Sequence, residues 1–143
     1  MKFNLGCGKD IREDWINVDQ RELPGVNEIR DLDTADWGLG ANCAEEILAN
    51  DLFEHLNDVV QAMDNCARLL VSNGLLTIRA PHSTSENLWL DPTHRRAFEL
   101  RSFDYFDGST ELGKKYQYGK FDWRVESREM EGDNVLIRMR VNK

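Results

Sequence analysis

Paired cysteines, proline-rich stretches and long apolar runs are all missing from this chain. Its three cysteines, Cys7, Cys43 and Cys66, are odd in number and far apart. That excludes a disulfide framework and fits a reducing compartment. No two of them form a C-x-x-C pair, which argues against a cysteine zinc site. No run approaches the roughly 18 apolar residues of a membrane span, and no apolar targeting stretch opens the chain, so the expectation is a cytoplasmic protein. With three prolines, no repeats and no low-complexity tract, there is no linker to divide it. Residues 1–143 therefore read as a single domain with length for one core.

Basic charge is scarce in the first half. The net charge is −8. Up to Ile78 there are six basic and fifteen acidic side chains; from Arg79 onward there are twelve and eleven. An acidic half without a basic face argues against a nucleic-acid partner. Arg95, Arg96 and Arg101 are the local exception. They read either as contacts for an anionic substrate group or as solvated surface.

What is present is concentrated in the first nineteen residues. Lys2-Phe3-Asn4-Leu5 reads as a short strand running into Gly6-Cys7-Gly8, and a second strand over residues 15–19 ends on Asp19. The tip of a parallel sheet is where an α/β domain binds a nucleoside-containing cofactor. Gly6 and Gly8, without Cβ atoms, let the backbone approach such a ligand. Asp19 stands where a carboxylate could accept hydrogen bonds from two ribose hydroxyls. A dinucleotide fingerprint is excluded by spacing: the third glycine position is Ile11, and Asp19 follows Gly8 too closely for a helix between the strands.

Further along, residues 27–31 predict a weak third strand and 44–49 a fourth. Leu52, Leu56, Val59, Val60, Met63, Cys66, Ala67 and Leu70 recur at helical spacing, which predicts a helix over 52–71 stopped by Asn73-Gly74. Residues 75–80 predict a fifth strand, 102–107 a short helix, and 123–130 with 135–141 a terminal hairpin turning at 131–134. Alternating strands and helices closed by a hairpin make an α/β arrangement.

In order and spacing these segments resemble the class I S-adenosylmethionine-dependent methyltransferases, of the small type 11 kind. The resemblance implies a Rossmann-like sheet, mostly parallel with a C-terminal antiparallel hairpin, and here a reduced first helix. It implies S-adenosyl-L-methionine as the cofactor, contacted at Leu5, Gly6, Cys7 and Gly8, with its ribose on Asp19. The adenine would lie by Asp31 and Leu32, and the methionine part by Asn50 and Asp51. The chain departs from the family pattern where Asn4 replaces an acidic residue and Lys9-Asp10 replaces a third glycine.

Methyl transfer leaves the protein to orient the acceptor and, for some acceptors, to supply a base. His55 and His94 are the candidates, since imidazole titrates near neutrality. His55 also reads as a structural histidine at a helix start, and Asp51-x-x-Glu54 as a capping box. His82 follows strand five at the same edge. Asp91-Pro92-Thr93-His94-Arg95-Arg96 is a polar cluster where the family builds its acceptor site. The spacing Asp51-x-x-Glu54-His55, with His94, is similar to the metal pattern of small-RNA terminal 2′-O-methyltransferases. Asp51 stands where they carry glutamate, however, and the chain is too acidic for an RNA binder, so no metal is expected. The aromatic residues from Trp89 to Trp123 predict mostly core. The expected activity is methyl transfer to an oxygen or nitrogen of a small-molecule or sugar-like acceptor. The alternative is a cofactor-binding sensor or regulatory subunit. A homodimer would cover the sheet face left thin by the missing helix.

Overall fold

Residues 1–143 are described by a computed structural model. β1 (Lys2–Leu5) and β2 (Ile16–Asp19) pair in parallel, Phe3 against Ile16 and Leu5 against Val18. Parallel neighbours are usually joined through a helix, but residues 6–15 contain none. Two buried asparagines replace it. Asn4 donates to the Asp10 carbonyl at 2.7 Å and to Asn17 Oδ1 at 3.0 Å. Asn17 accepts from the Arg12 amide at 3.0 Å and donates to the carbonyls of Arg12 and Trp15. Backbone groups that a helix would pair internally are thereby satisfied by side chains. The departure at Asn4 is part of how the connection is kept short.

β3 (Glu28–Ile29), β4 (Ala44–Asn50), β5 (Leu70–Pro81), β6 (Asp122–Glu131) and β7 (Asn134–Asn142) complete one sheet in the order β3-β2-β1-β4-β5-β7-β6. β1 to β5 run parallel, and β7 lies antiparallel between β5 and β6. The expected hairpin is present, with Glu131 paired to Asn134 across its turn. The weak third strand expected over 27–31 is present only at Glu28–Ile29. A core of 27 buried residues is drawn from both halves of the chain, including Leu5, Val18, Ile47, Phe53, Ile78, Phe103, Trp123 and Ile137. No helix is long and apolar enough to cross a membrane.

The long helix is where the sequence reading needs correction. Residues 53–55 form a single 3-10 turn, Leu56 is extended at φ −76° and ψ 144°, and α1 spans Val59–Leu69. Asp58 starts it, accepting from the Gln61 amide at 2.9 Å. Asp58 therefore takes the cap role that Asp51 was expected to fill. α1 ends at Leu69, and Leu70 is already strand. Asn73, at φ +65°, lies inside β5 beside the register shift against β4. The Asn73-Gly74 signal marks a bulge rather than a helix stop. The expected helix at 102–107 is a 3-10 segment, Ser102–Phe106. Two short helices went unforeseen, α2 (Glu86–Leu90) and α3 (Glu111–Tyr116).

Candidate functional site

The carboxyl ends of β1 to β4 and the loop 91–95 enclose a polar cleft of about 1050 Å³. It opens where the strand order reverses between β1 and β4, the usual place for a ligand in an open α/β sheet. Gly6, Asp19, Asp31, Leu32, Asp51, His55 and His94 all line it. Leu5 and Cys7 do not: Leu5 is in the core, and the Cys7 thiol turns onto the Gly8 carbonyl at 3.6 Å. Burial, and Asp19 beside it, push that thiol up. Gly8 and Asn50 also lie outside the cleft lining.

Gly6 forms the floor of the cleft with φ +65°, and a Cβ there would sit 3.0 Å from Leu52 Cδ1. Asp19 is buried at the end of β2 and organises the loop around it. Its Oδ2 accepts the Gly8 amide at 2.8 Å, and its Oδ1 accepts the Arg21 amide at 2.9 Å and Arg21 Nε at 3.3 Å. Burial raises its pKa, but these donors outweigh it and hold the carboxyl below its ordinary range. Asp31 lies open at the cleft wall. Asp33 accepts the Asn57 amide at 2.7 Å and so ties the segment after β3 to the turn before α1.

Asp51 adopts φ +55° at the end of β4 and pairs with Arg79 at 2.6 Å. A residue other than glycine in the left-handed region carries strain, and such strain gathers at functional sites. Glu54 is different. It is 1% exposed, and neither carboxylate oxygen has a hydrogen-bond partner. Burial, with Asp51 nearby, raises its pKa to about 7. His55 Nε2 lies 3.8 Å and His94 Nε2 3.9 Å from Glu54 Oε1, and the two rings meet edge to face at 4.7 Å. Burial, followed by the neighbouring His94, lowers the His55 pKa.

The loop 91–96 is fastened over this group. The Arg95 amide donates to the Glu54 carbonyl at 2.8 Å, and Arg95 Nε to the His55 carbonyl at 3.2 Å. Arg96 donates to the carbonyls of Phe53 (3.0 Å), Leu56 and Asn57 (3.1 Å). Arg96 is thus structural, Arg101 is occupied by Asp104, and only Arg95 of the three faces the cleft. His82 pairs with Glu99 at 2.8 Å, outside the cleft. Sequence reasoning named Glu54 only as a cap residue and within a metal pattern it set aside, and Thr93 only as one member of the polar cluster 91–96. The burial of Glu54 is what the capping pattern did not reveal.

The description "Methyltransferase domain" fits residues 4–78, just over half of the chain. The chain belongs to this methyltransferase family. A putative type 11 methyltransferase from Sulfolobus solfataricus superposes with a TM-score of 0.66 at 14% identity, covering 100% of this chain and 84% of that one. A putative methyltransferase from Haloferax volcanii, in complex with the Trm112 activator, gives 0.68 at 9% identity, covering 99% and 82%. The 1,6-didemethyltoxoflavin-N1-methyltransferase of Burkholderia thailandensis gives 0.64 at 15%, covering 99% and 71%. No curated protein matches the chain by sequence. By family and fold it is a class I S-adenosylmethionine-dependent methyltransferase.

The residues present fit that cofactor. The Gly6 floor is a place a Cβ would crowd. The Asp19 carboxylate, with about four lone-pair sites, has three filled by protein donors. One remains for a ribose hydroxyl, and a second becomes free if the exposed Arg21 side chain swings away.

Proposed function

We propose that this methyltransferase acts on an oxygen or nitrogen of a small-molecule or sugar-like acceptor, bound beneath the loop Asp91–Arg95. The cofactor supplies a sulfonium methyl group for in-line transfer. Gly6 bears its backbone contact, Asp19 holds the ribose, Asp31 and Leu32 flank the adenine, and Asp51 the methionine part. His55 and His94 face the acceptor and take up its proton.

The observation carrying this reading is the meeting of two imidazoles from separate segments against one buried carboxylate, at the loop end of the cleft. The polar cleft favours an acceptor with several hydrogen-bonding groups. The Burkholderia protein, named as an N1-methyltransferase, supports nitrogen among the acceptor atoms. A sensor or regulatory subunit is the second reading, favoured by the helix-free connection after β1, which covers the cofactor less than a full helix would.

Calorimetric titration with S-adenosylmethionine and S-adenosylhomocysteine, followed by an acceptor screen scored by S-adenosylhomocysteine release, tests both. Release with any hydroxyl or amine acceptor that is lost in His55→Ala supports the enzyme. Tight binding with no turnover across the screen supports the sensor.

A further inference from the structure

We propose that Glu54, His55 and His94 form a binding site for one divalent first-row transition cation. The site rests on the acceptor-site reading above and changes one part of it: with the ion bound, His55 and His94 hold the metal instead of taking up the proton. The metal affinity can be measured independently of that reading.

The hydrogen bonds around the two imidazoles fix which nitrogen carries the proton. His94 Nδ1 lies 3.1 Å from the Leu88 carbonyl. A carbonyl only accepts, so Nδ1 donates. Thr93 gives its single hydroxyl proton to Asp91 Oδ1 at 2.7 Å, so its oxygen accepts from His55 Nδ1 at 3.0 Å. Both rings therefore turn bare Nε2 lone pairs toward Glu54. Its carboxylate is 1% exposed and meets no donor at either oxygen. Two lone pairs and a buried carboxylate converge on a space with nothing positive in it.

A shared proton does not resolve this arrangement. Separations of 3.8 and 3.9 Å exceed any hydrogen bond between nitrogen and oxygen. They suit an ion set between the groups. The three donor atoms lie within 4.8 Å of one another. Donors at about 2.1 Å from one ion stand roughly 3 to 3.5 Å apart, so side-chain shifts of about an ångström close the set. The partners on Nδ1, a carbonyl and a hydroxyl backed by a carboxylate, are those that orient metal-ligating histidines.

The surroundings agree. Asp91 Oδ2 lies 3.4 Å from His94 Nε2 and can join the set. Arg79 pairs through its terminal nitrogens with Asp51 and Glu131, and its Nε is buried without a partner. Asp51 is not among the residues whose donor atoms cluster. Two imidazoles and one carboxylate favour manganese, iron, cobalt or zinc over magnesium and calcium. His55 lines the cleft and Glu54 lies behind it, so the open coordination positions face the acceptor. A hydroxyl or amine acceptor, or a vicinal pair of hydroxyls, is the ligand class they would take.

The test uses the full chain stripped with chelator and titrated with Co²⁺, followed by visible absorption and by heat. One Co²⁺ per chain is expected, with a visible band displaced by Zn²⁺ and not by Mg²⁺. Glu54→Gln and His94→Asn should each weaken binding at least tenfold, while His82→Asn, outside the cleft, binds as the unaltered chain does. Circular dichroism confirms that each variant folds, and His94→Gln serves if His94→Asn does not. No stoichiometric binding by the folded chain overturns the proposal. So does a band that persists in the Glu54 and His94 variants, or a near-ultraviolet thiolate band placing the ion on a cysteine. A parallel titration with S-adenosylmethionine keeps the two readings apart: its failure with the cobalt band intact counts against methyl transfer, not the metal site.

Discussion

Asp19 Oδ2 accepts the backbone N–H of Gly8 at 2.8 Å, so one carboxylate both shapes the glycine loop and faces the cofactor cleft. Asp19→Ala is therefore expected to do two things at once. Cofactor binding should weaken by 10-fold or more in calorimetry. Stability should fall by about 1–3 kcal/mol in chemical denaturation, because the Gly8 and Arg21 amides lose a charged acceptor. Normal stability with lost binding would show that the loop stands without Asp19.

Arg21 competes for the same carboxylate through Nε, at 3.3 Å, from a largely exposed position. Arg21→Ala frees a lone pair of Asp19 while the Arg21 backbone amide stays in place. S-adenosylmethionine affinity should hold or rise a few-fold. A 10-fold loss would instead make Arg21 a cofactor contact in its own right.

Arg96 spends its guanidinium on the carbonyls of Phe53, Leu56 and Asn57. Arg96→Ala removes the guanidinium from the Leu56 and Asn57 carbonyls and leaves Phe53 with only the Leu56 amide, at a cost of about 2 kcal/mol, readable as a lower thermal midpoint. Acceptor turnover should fall more than cofactor affinity, since the loss falls on the turn carrying Glu54 and His55. Equal losses in both would deny Arg96 a local role.

Burial places the Glu54 pKa at about 7, above its ordinary 4.5. For an acid raised on folding, the charged form opposes folding. The penalty is absent below pH 4.5, grows up to about pH 7 and is constant above it. Without metal, in chelator, Glu54→Gln should stabilise the chain by up to about 3 kcal/mol at pH 8 and leave it unchanged near pH 4. Urea denaturation at the two pH values reads the difference. A destabilised variant at pH 8 would mean that Glu54 is charged and paired in the folded chain.

The sheet was legible because its signals are local: a short strand at residues 2–5 running into glycines, the apolar pair Ile47-Leu48 in an otherwise poor pattern at 44–49, and a turn sequence at 131–134. The placement of Asp19, Asp31, His55 and His94 around one cleft followed from those strands. The start of α1 was not legible, since Leu52 and Leu56 extend the helical spacing of residues 59–70 without being helical. Asp58, three residues before Gln61, was the competing signal. The spacing of Glu54 beside His55 was legible but its burial was not, because loop 91–96, which bonds to its carbonyl, lies far along the chain. Asn4 looked like a defect in a family pattern. Its partner Asn17 lies on the neighbouring strand, and only their pairing shows why an amide belongs there.

The fastening of loop 91–96 onto residues 53–57 has an evolutionary consequence. One segment carries Thr93 and His94, the other Glu54 and His55, and the bonds of Arg95 and Arg96 between them are mostly to backbone. The two segments form one inheritable unit although they are distant in sequence. A chimera that takes only the loop from a relative brings foreign arginines onto a turn not shaped for them. Exchange of acceptor preference between members of this family would require both segments to move together.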